Sequence, residues 1–244
     1  MSRRIKLGFD GSGAANDSAV TSKASKGGNT NDFEQATGSK QPTAKSAGNA
    51  HATLKPTVTS VSCDGGDVLS LASTETLSGN SAYTIIAAWT NANYTNDTWL
   101  VSGTSNDTHW GIDAGGVGLI FKADGSKASA GERDYRSDNT AASSINYTFG
   151  SDLEMVAIVV DATGSPITVN AYNIDGDLIT TERASGSSVT SGLAVALNID
   201  HVLGKSDGTL GLNGEILDIA IYNTALSASL IKGHANSYKG MMND

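Results

Sequence analysis

The chain is 244 residues long, with 39% hydrophobic residues, 28 glycines and a formal net charge of −9. Cys63 is its single cysteine and His51, His109, His201 and His234 are widely scattered, which excludes an intrachain disulfide, a CxxC zinc motif and a histidine cluster readable from spacing. No apolar run reaches the about 18 residues a membrane helix needs, so neither a membrane role nor a bound metal or other cofactor is expected.

In chain order, the opening stretch MSRRIKLGFDGSG is basic but has no apolar h-region, so no export signal is expected from it. Residues 1–60 hold eight Lys/Arg and four Asp/Glu, a balance of +4, and the remainder holds eight and twenty-one, a balance of −13. A basic arm precedes an acidic body, a pattern that suits docking on an acidic partner. Residues 1–31 lack any sustained apolar period and are rich in Gly, Ser, Ala and Asn, so they are expected to be an extended arm ordered by a partner. Within it Ile5, Leu7 and Phe9 alternate with Arg4, Lys6 and Gly8, a pattern that could add a strand to a neighbour's sheet edge. Arg3, Arg4, Ile5, Lys6, Leu7 and Phe9 are the partner-binding candidates. Only three cations cluster there and Phe9 is the one interleaved aromatic, which argues against nucleic acid.

From residue 32 to 244 one all-β domain is expected. The runs VTSVSC (58–63), YTIIAAW (83–89), TWLVS (98–102), VGLIFKA (117–123), EMVAIVVD (154–161), PITVNAYNI (166–174), DLITTE (177–182) and EILDIAIY (215–222) are short and rich in Val, Ile, Thr and aromatics. Turn chemistry separates them, and Asp175-Gly176 between two alternating runs is the strongest hairpin signal. No amphipathic helix interrupts the series before residue 224, so an antiparallel sandwich of jelly-roll type is expected rather than βαβ units. YTIIAAW, EMVAIVVD and EILDIAIY are almost continuously apolar, as central strands covered on both faces require. After Tyr222, Leu226, Leu230, Ile231 and His234 fall at helical spacing. Thr224 or Ser227 is the N-cap candidate and Gly233 a weak point, which together predict one short helix.

The sequences QATGSKQPT (35–43), VSCDGGDVLSL (61–71), YTIIAAW and GLNGEILDIAIYNTALSASLI (211–231) resemble the concanavalin A-like lectin/glucanase superfamily, in its laminin-G-like jelly-roll branch as found in bacteriophage virion proteins. The likeness spans about residues 32–238 and implies a structural role on a virion. Other virion proteins, a major capsid protein or fibre components, would then be the partners, and a homo-oligomer would form on the particle.

Glucanases of that superfamily carry Glu-x-Asp-x-Glu on one strand, which puts the acids on one face, and retaining cleavage places two carboxyls about 5 to 5.5 Å apart. Strict alternation along EILDIAIY sends Glu215 and Asp218 to opposite faces, so no catalytic residue is assigned and no enzyme is expected. Sugar binding has better material. Tyr94, Asn96, Trp99, His109, Trp110 and Asp113 interleave stacking rings with hydrogen-bonding groups, although the tryptophans are equally suited to a core and the polar residues to turns. Asp64, Asp67 and Asp113 could offer oxygens to Ca²⁺, as in some relatives, but DGGD is equally a tight turn. The expected function is a non-enzymatic capsid decoration or cement protein, docked by its arm. A glycan-binding receptor-recognition module of a head or tail fibre is the alternative, with host surface glycans as ligand, and a glycoside hydrolase stands third.

Overall fold

The computed structural model describes residues 18–20, 22–23, 32–45, 50, 52–77, 81–95, 98–103, 108–112, 119–123, 147–150, 152–161, 163, 168–182 and 197–243. Among them the strands are β1 Ser22–Lys23, β2 Phe33–Glu34, β3 Thr43–Lys45, β4 Ser60–Asp64, β5 Leu69–Leu77, β6 Ala82–Thr90, β7 Thr98–Ser102, β8 Thr108–Ile112, β9 Leu119–Ala123, β10 Glu154–Asp161, β11 Thr168–Tyr172, β12 Leu178–Glu182, β13 Leu197–Val202 and β14 Asn213–Tyr222, followed by helix α1 Ala228–Lys239. They form two seven-stranded antiparallel sheets. Sheet one runs β12-β11-β10-β6-β14-β4-β3 and sheet two β1-β2-β5-β13-β7-β8-β9. The all-β sandwich expected from the strand runs is the fold observed.

Two apolar clusters explain why the central strands read as unbroken apolar runs. Between the sheets, Ile85, Ala87 and Trp89 of β6 meet Val156, Ile158 and Val160 of β10 and Ile216, Ile219 and Ile221 of β14. On the opposite face of sheet one, Ile86 and Ala88 join Met155, Ala157, Val159 and Ala220 beneath Leu226, Ile231, Ala235 and Tyr238. Every side chain of such a strand is withdrawn from water, and each buried Val, Leu or Ile contributes about 1.5–3 kcal/mol before entropy is counted. Helix α1 supplies the outer layer because Ile231, Ala235 and Tyr238 recur at four- and three-residue steps. Ser227 is its N-cap, accepting from the Leu230 N–H at 3.4 Å. Leu230, expected to pack, is 54% exposed, since the buried stripe passes through its neighbour Ile231. Gly233 sits in open space and does not interrupt the helix.

The chain beyond α1 is stitched back onto the outer layer. Lys55 N–H donates to Met241 O at 2.7 Å and Asn243 N–H to Thr53 O at 2.8 Å, while the Asn243 amide reaches Ala52 O and Leu54 O at 2.8 and 2.9 Å.

The hairpin expected at Asp175-Gly176 joins β11 and β12. Asn173 Oδ1 accepts from the N–H groups of Asp175 and Asp177, both at 3.0 Å, and Gly176 adopts φ +73°. A side chain at Gly176 would also meet the backbone of Lys232 in α1 at 2.8 Å, so glycine is required both for the turn and for helix docking.

One boundary differs from the sequence reading. Composition puts residues 18–23 in the arm, yet Ala19 bridges Thr43 of β3. Val20 N–H donates to Pro42 O at 2.8 Å and Ala44 N–H to Ser18 O at 2.9 Å. Three residues later β1 pairs with β2 in the other sheet. The segment crosses from one sheet to the other and buries Val20 in the inter-sheet core. Its own composition hides this, because the drive comes from two sheet edges that offer unpaired backbone groups.

Candidate functional site

The two sheets present different outer faces. That of sheet one is filled by α1 and the tail. That of sheet two carries Glu34, Ala72, Thr74, Thr76 and Asn198 exposed to solvent. Cross-strand hydrogen bonds order this face: Thr76 Oγ1 bonds Asn198 Oδ1 at 2.9 Å, and Thr74 Oγ1 donates to Asp200 Oδ1. Hydroxyl, amide and carboxylate groups held in a ladder can exchange hydrogen bonds with a polar ligand without first being ordered. The sequence reading missed these residues; alternation of Thr with other residues in STETL was the available signal.

The register extends that face into one row. Glu34 lies opposite Ser70, Ser70 opposite His201, His201 opposite Ser102, and Ser102 opposite His109. His201 is 9% exposed and its Nδ1 has no hydrogen-bond partner. Burial lowers its pKa, Asp200 raises it and Lys40 lowers it further, so the ring is neutral at neutral pH. Ser102 Oγ donates to Gly204 O at 2.8 Å.

Loops at one end of the sandwich brace this row. Gly65, Gly204 and Gly211 let the DGGD turn and the loop after β13 touch backbone to backbone. A Cβ on Gly211 would lie 2.8 to 3.0 Å from the carbonyls of Leu203, Asp67 and Gly65. The acids of DGGD serve this turn: Asp67 Oδ2 accepts from Asp64 N–H and Asp64 Oδ1 from Gly66 N–H, both at 2.8 Å. Burial pushes the Asp67 carboxyl up to about 6. Among the described residues no group of three or more His, Cys, Asp or Glu side chains is arranged to hold a metal ion, and the calcium oxygens considered for Asp64 and Asp67 are engaged by their own turn.

Of the sequence-assigned sugar residues, the described side chains are those of Tyr94 and Trp99, and both are buried. Tyr94 is 8% exposed, its hydroxyl accepting from Trp89 Nε1 at 2.6 Å and donating to Gly150 O at 3.2 Å. Its ring packs against Phe149, because the apolar interior offers more contact than solvent. Trp99 is also 8% exposed, and Lys205 Nζ stands 5.2 Å over its ring, so this face already holds a cation. His109 and Trp110 lie in β8, opposite Ser102 and Val101. Asn96 and Asp113 lie outside the described residues, as do Arg3, Arg4, Ile5, Lys6, Leu7 and Phe9.

The acids of β14 require a correction. A bulge places Ile216 opposite Trp89 and Asp218 opposite Ala88, leaving Leu217 as the extra residue. Alternation is therefore reset, and Glu215 and Asp218 both belong to the outer face of sheet one rather than to opposite faces. Each is engaged by the fold. Ser60 Oγ donates to Glu215 Oε2 at 2.6 Å, and the Tyr238 hydroxyl donates to Asp218 Oδ2 at 2.7 Å, which fastens α1 to the sheet.

No protein-family model and no curated protein matches the sequence. Solved structures do match in shape. The binding domain of Paraclostridial Mosquitocidal Protein 1 aligns over 97% of this chain and 52% of its own, with TM-score 0.62 and 14% identity. A GH54 α-L-arabinofuranosidase soaked with a cyclic sulfate inhibitor aligns over 92% and 51%, with TM-score 0.55 and 16% identity. Domain 4 of AbnA, a GH43 extracellular arabinanase from Geobacillus stearothermophilus, in complex with arabinotriose, aligns over 87% and 92%, with TM-score 0.52 and 16% identity. The chain spans about half the length of the first two. At these identities the likeness shows a shared β-sandwich fold.

Proposed function

We propose that the chain is a non-catalytic binding module that presents the outer face of sheet two to a polyhydroxylated ligand, a glycan on a cell surface. The asymmetry of the two outer faces carries this reading. One is sealed by an apolar helix layer, and the other displays preordered hydroxyl, amide and carboxylate groups from β5 and β13. The use of this sandwich in the binding domain of a mosquitocidal protein and in an arabinanase domain complexed with arabinotriose supports it at the level of fold. The test is a glycan array followed by titration calorimetry. A hit lost in Thr74→Val with Asn198→Ala, at unchanged melting temperature, supports the reading, whereas an array without hits overturns it.

A second reading, capsid decoration on a virion, is favoured by the charge asymmetry: a +4 leading segment before a −13 body. The residues ahead of Ser18, where Arg3, Arg4 and Lys6 stand against Asp10 and Asp17, would dock on a virion protein together with the later lysines of the leading segment, and the sandwich would project outward. Loss of particle co-sedimentation after removal of residues 1–17, with the fold intact, is the outcome expected; full occupancy by the shortened chain sinks this reading.

A further inference from the structure

Where β6, the segment 147–150 and the start of β10 meet, the end of the inter-sheet core is closed by one residue cluster. Phe149 packs with its ring centroid 5.8 Å from Trp89 and 6.2 Å from Tyr94, and Tyr147 meets it edge-on at 4.8 Å. Both polar groups of the Gly150 backbone are held. Its carbonyl accepts from the Tyr94 hydroxyl at 3.2 Å, and its N–H donates to Glu154 Oε1 at 2.6 Å. The second oxygen of that carboxyl, Oε2, is buried without a hydrogen-bond partner, and Glu154 as a whole is 7% exposed. Strand parity explains the position: Val156, Ile158 and Val160 point into the core, and Glu154 is the next residue outward in that row.

An ionised carboxylate needs partners for both oxygens, whereas a protonated one tolerates this site far better. We propose that Glu154 is a proton-operated latch: the protonated carboxyl keeps the segment 147–150 closed against the end of the core, and loss of the proton releases it. Burial raises the carboxyl's pKa most, the Gly150 N–H bond lowers it, and Asp175 and Asp152 raise it again, with a result of about 7. The groups facing it reinforce the direction. From the β6–β7 connection and from the segment itself come Tyr94 and Tyr147, whose hydroxyls burial holds neutral. From two residues ahead of β10 comes Asp152, and from the β11–β12 turn comes Asp175, whose counter-ion is Lys239. Oε2 gains a partner only by letting water in or by swinging outward, and swinging outward gives up the Gly150 N–H. The latch is therefore closed in acid and open in base.

The experiment is backbone hydrogen exchange of residues 147–150 in the full chain between pH 5.5 and 8.5, corrected for the intrinsic pH effect. Protection of this segment should fall at least about tenfold across that range, while the β6 amides of Ile85–Ala88 stay protected. In Glu154→Gln protection should be high and independent of pH. The ¹³C carboxyl resonance of Glu154 in the unsubstituted protein should titrate near 7, which keeps the test decisive if the variant folds poorly. A flat profile, the same pH response in Glu154→Gln, parallel loss in β6, or titration near 4.5 would each overturn the latch.

Discussion

Asp67 shows how much one buried carboxyl can weigh. Its folded pKa of about 6 lies above the ordinary 3.8 because burial outweighs the Asp64 N–H bond. A raised acid pKa means that the folded state binds the extra proton, so its stabilising contribution is full below pH 4 and is lost as pH rises through 6. Asp67→Asn keeps an acceptor for the Asp64 N–H and removes the charge. The variant should therefore gain roughly 1–3 kcal/mol over the parent at pH 8 and little at pH 4, read from urea melts at both values. Trp99 is a second case at this scale. With 8% exposure and Lys205 over its ring, Trp99→Ala should cost about 3–5 kcal/mol, measured as loss of melting temperature, as a buried aromatic does. Tyr94 and Trp99 were legible as aromatics near turns, but their depth was not, because burial depends on Phe149 and Lys205, which are distant in sequence.

At the scale of elements, the strands were legible and their exceptions were not. YTIIAAW and EMVAIVVD announced central strands through composition, and the Asn173–Asp177 turn announced its hairpin through Asp-Gly chemistry. The bulge at Leu217 left no local mark, since Leu217 reads like its neighbours, yet it reverses the facing of Asp218 and delivers that carboxylate to Tyr238. The pairing of Ser18–Val20 and Ser22–Lys23 was hidden for a different reason: a polar segment became ordered because two edges had room for it. A chain beginning at Asn31 loses Val20 from the core and both edge pairings. It should melt measurably lower, by about 1–3 kcal/mol in stability, whereas a chain beginning at Ser18 should match the parent. Comparison of the two in thermal melts separates the arm from the sandwich edge. Ser227→Ala at the cap of α1 should cost about 1 kcal/mol, seen in the same assay.

At the scale of the whole molecule, the order of strands in space departs widely from their order in the chain. β14, the last of the described strands, lies between β6 and β4 and joins the two parts of sheet one, its residues pairing with partners 125 to 155 positions earlier. This sets a constraint on biosynthesis. While the ribosome is still translating the middle of the chain, β6 and β4 are two apolar edges with no strand between them. The sandwich cannot close until Tyr222 has left the exit tunnel. Closure of this sandwich is thus postponed until β14 has been made, with the exposure to chaperones and to aggregation that such delay brings. A chain stopped at Leu212 should be insoluble or molten by near-ultraviolet circular dichroism; a cooperative melt from that fragment would show that sheet one closes without its last strand.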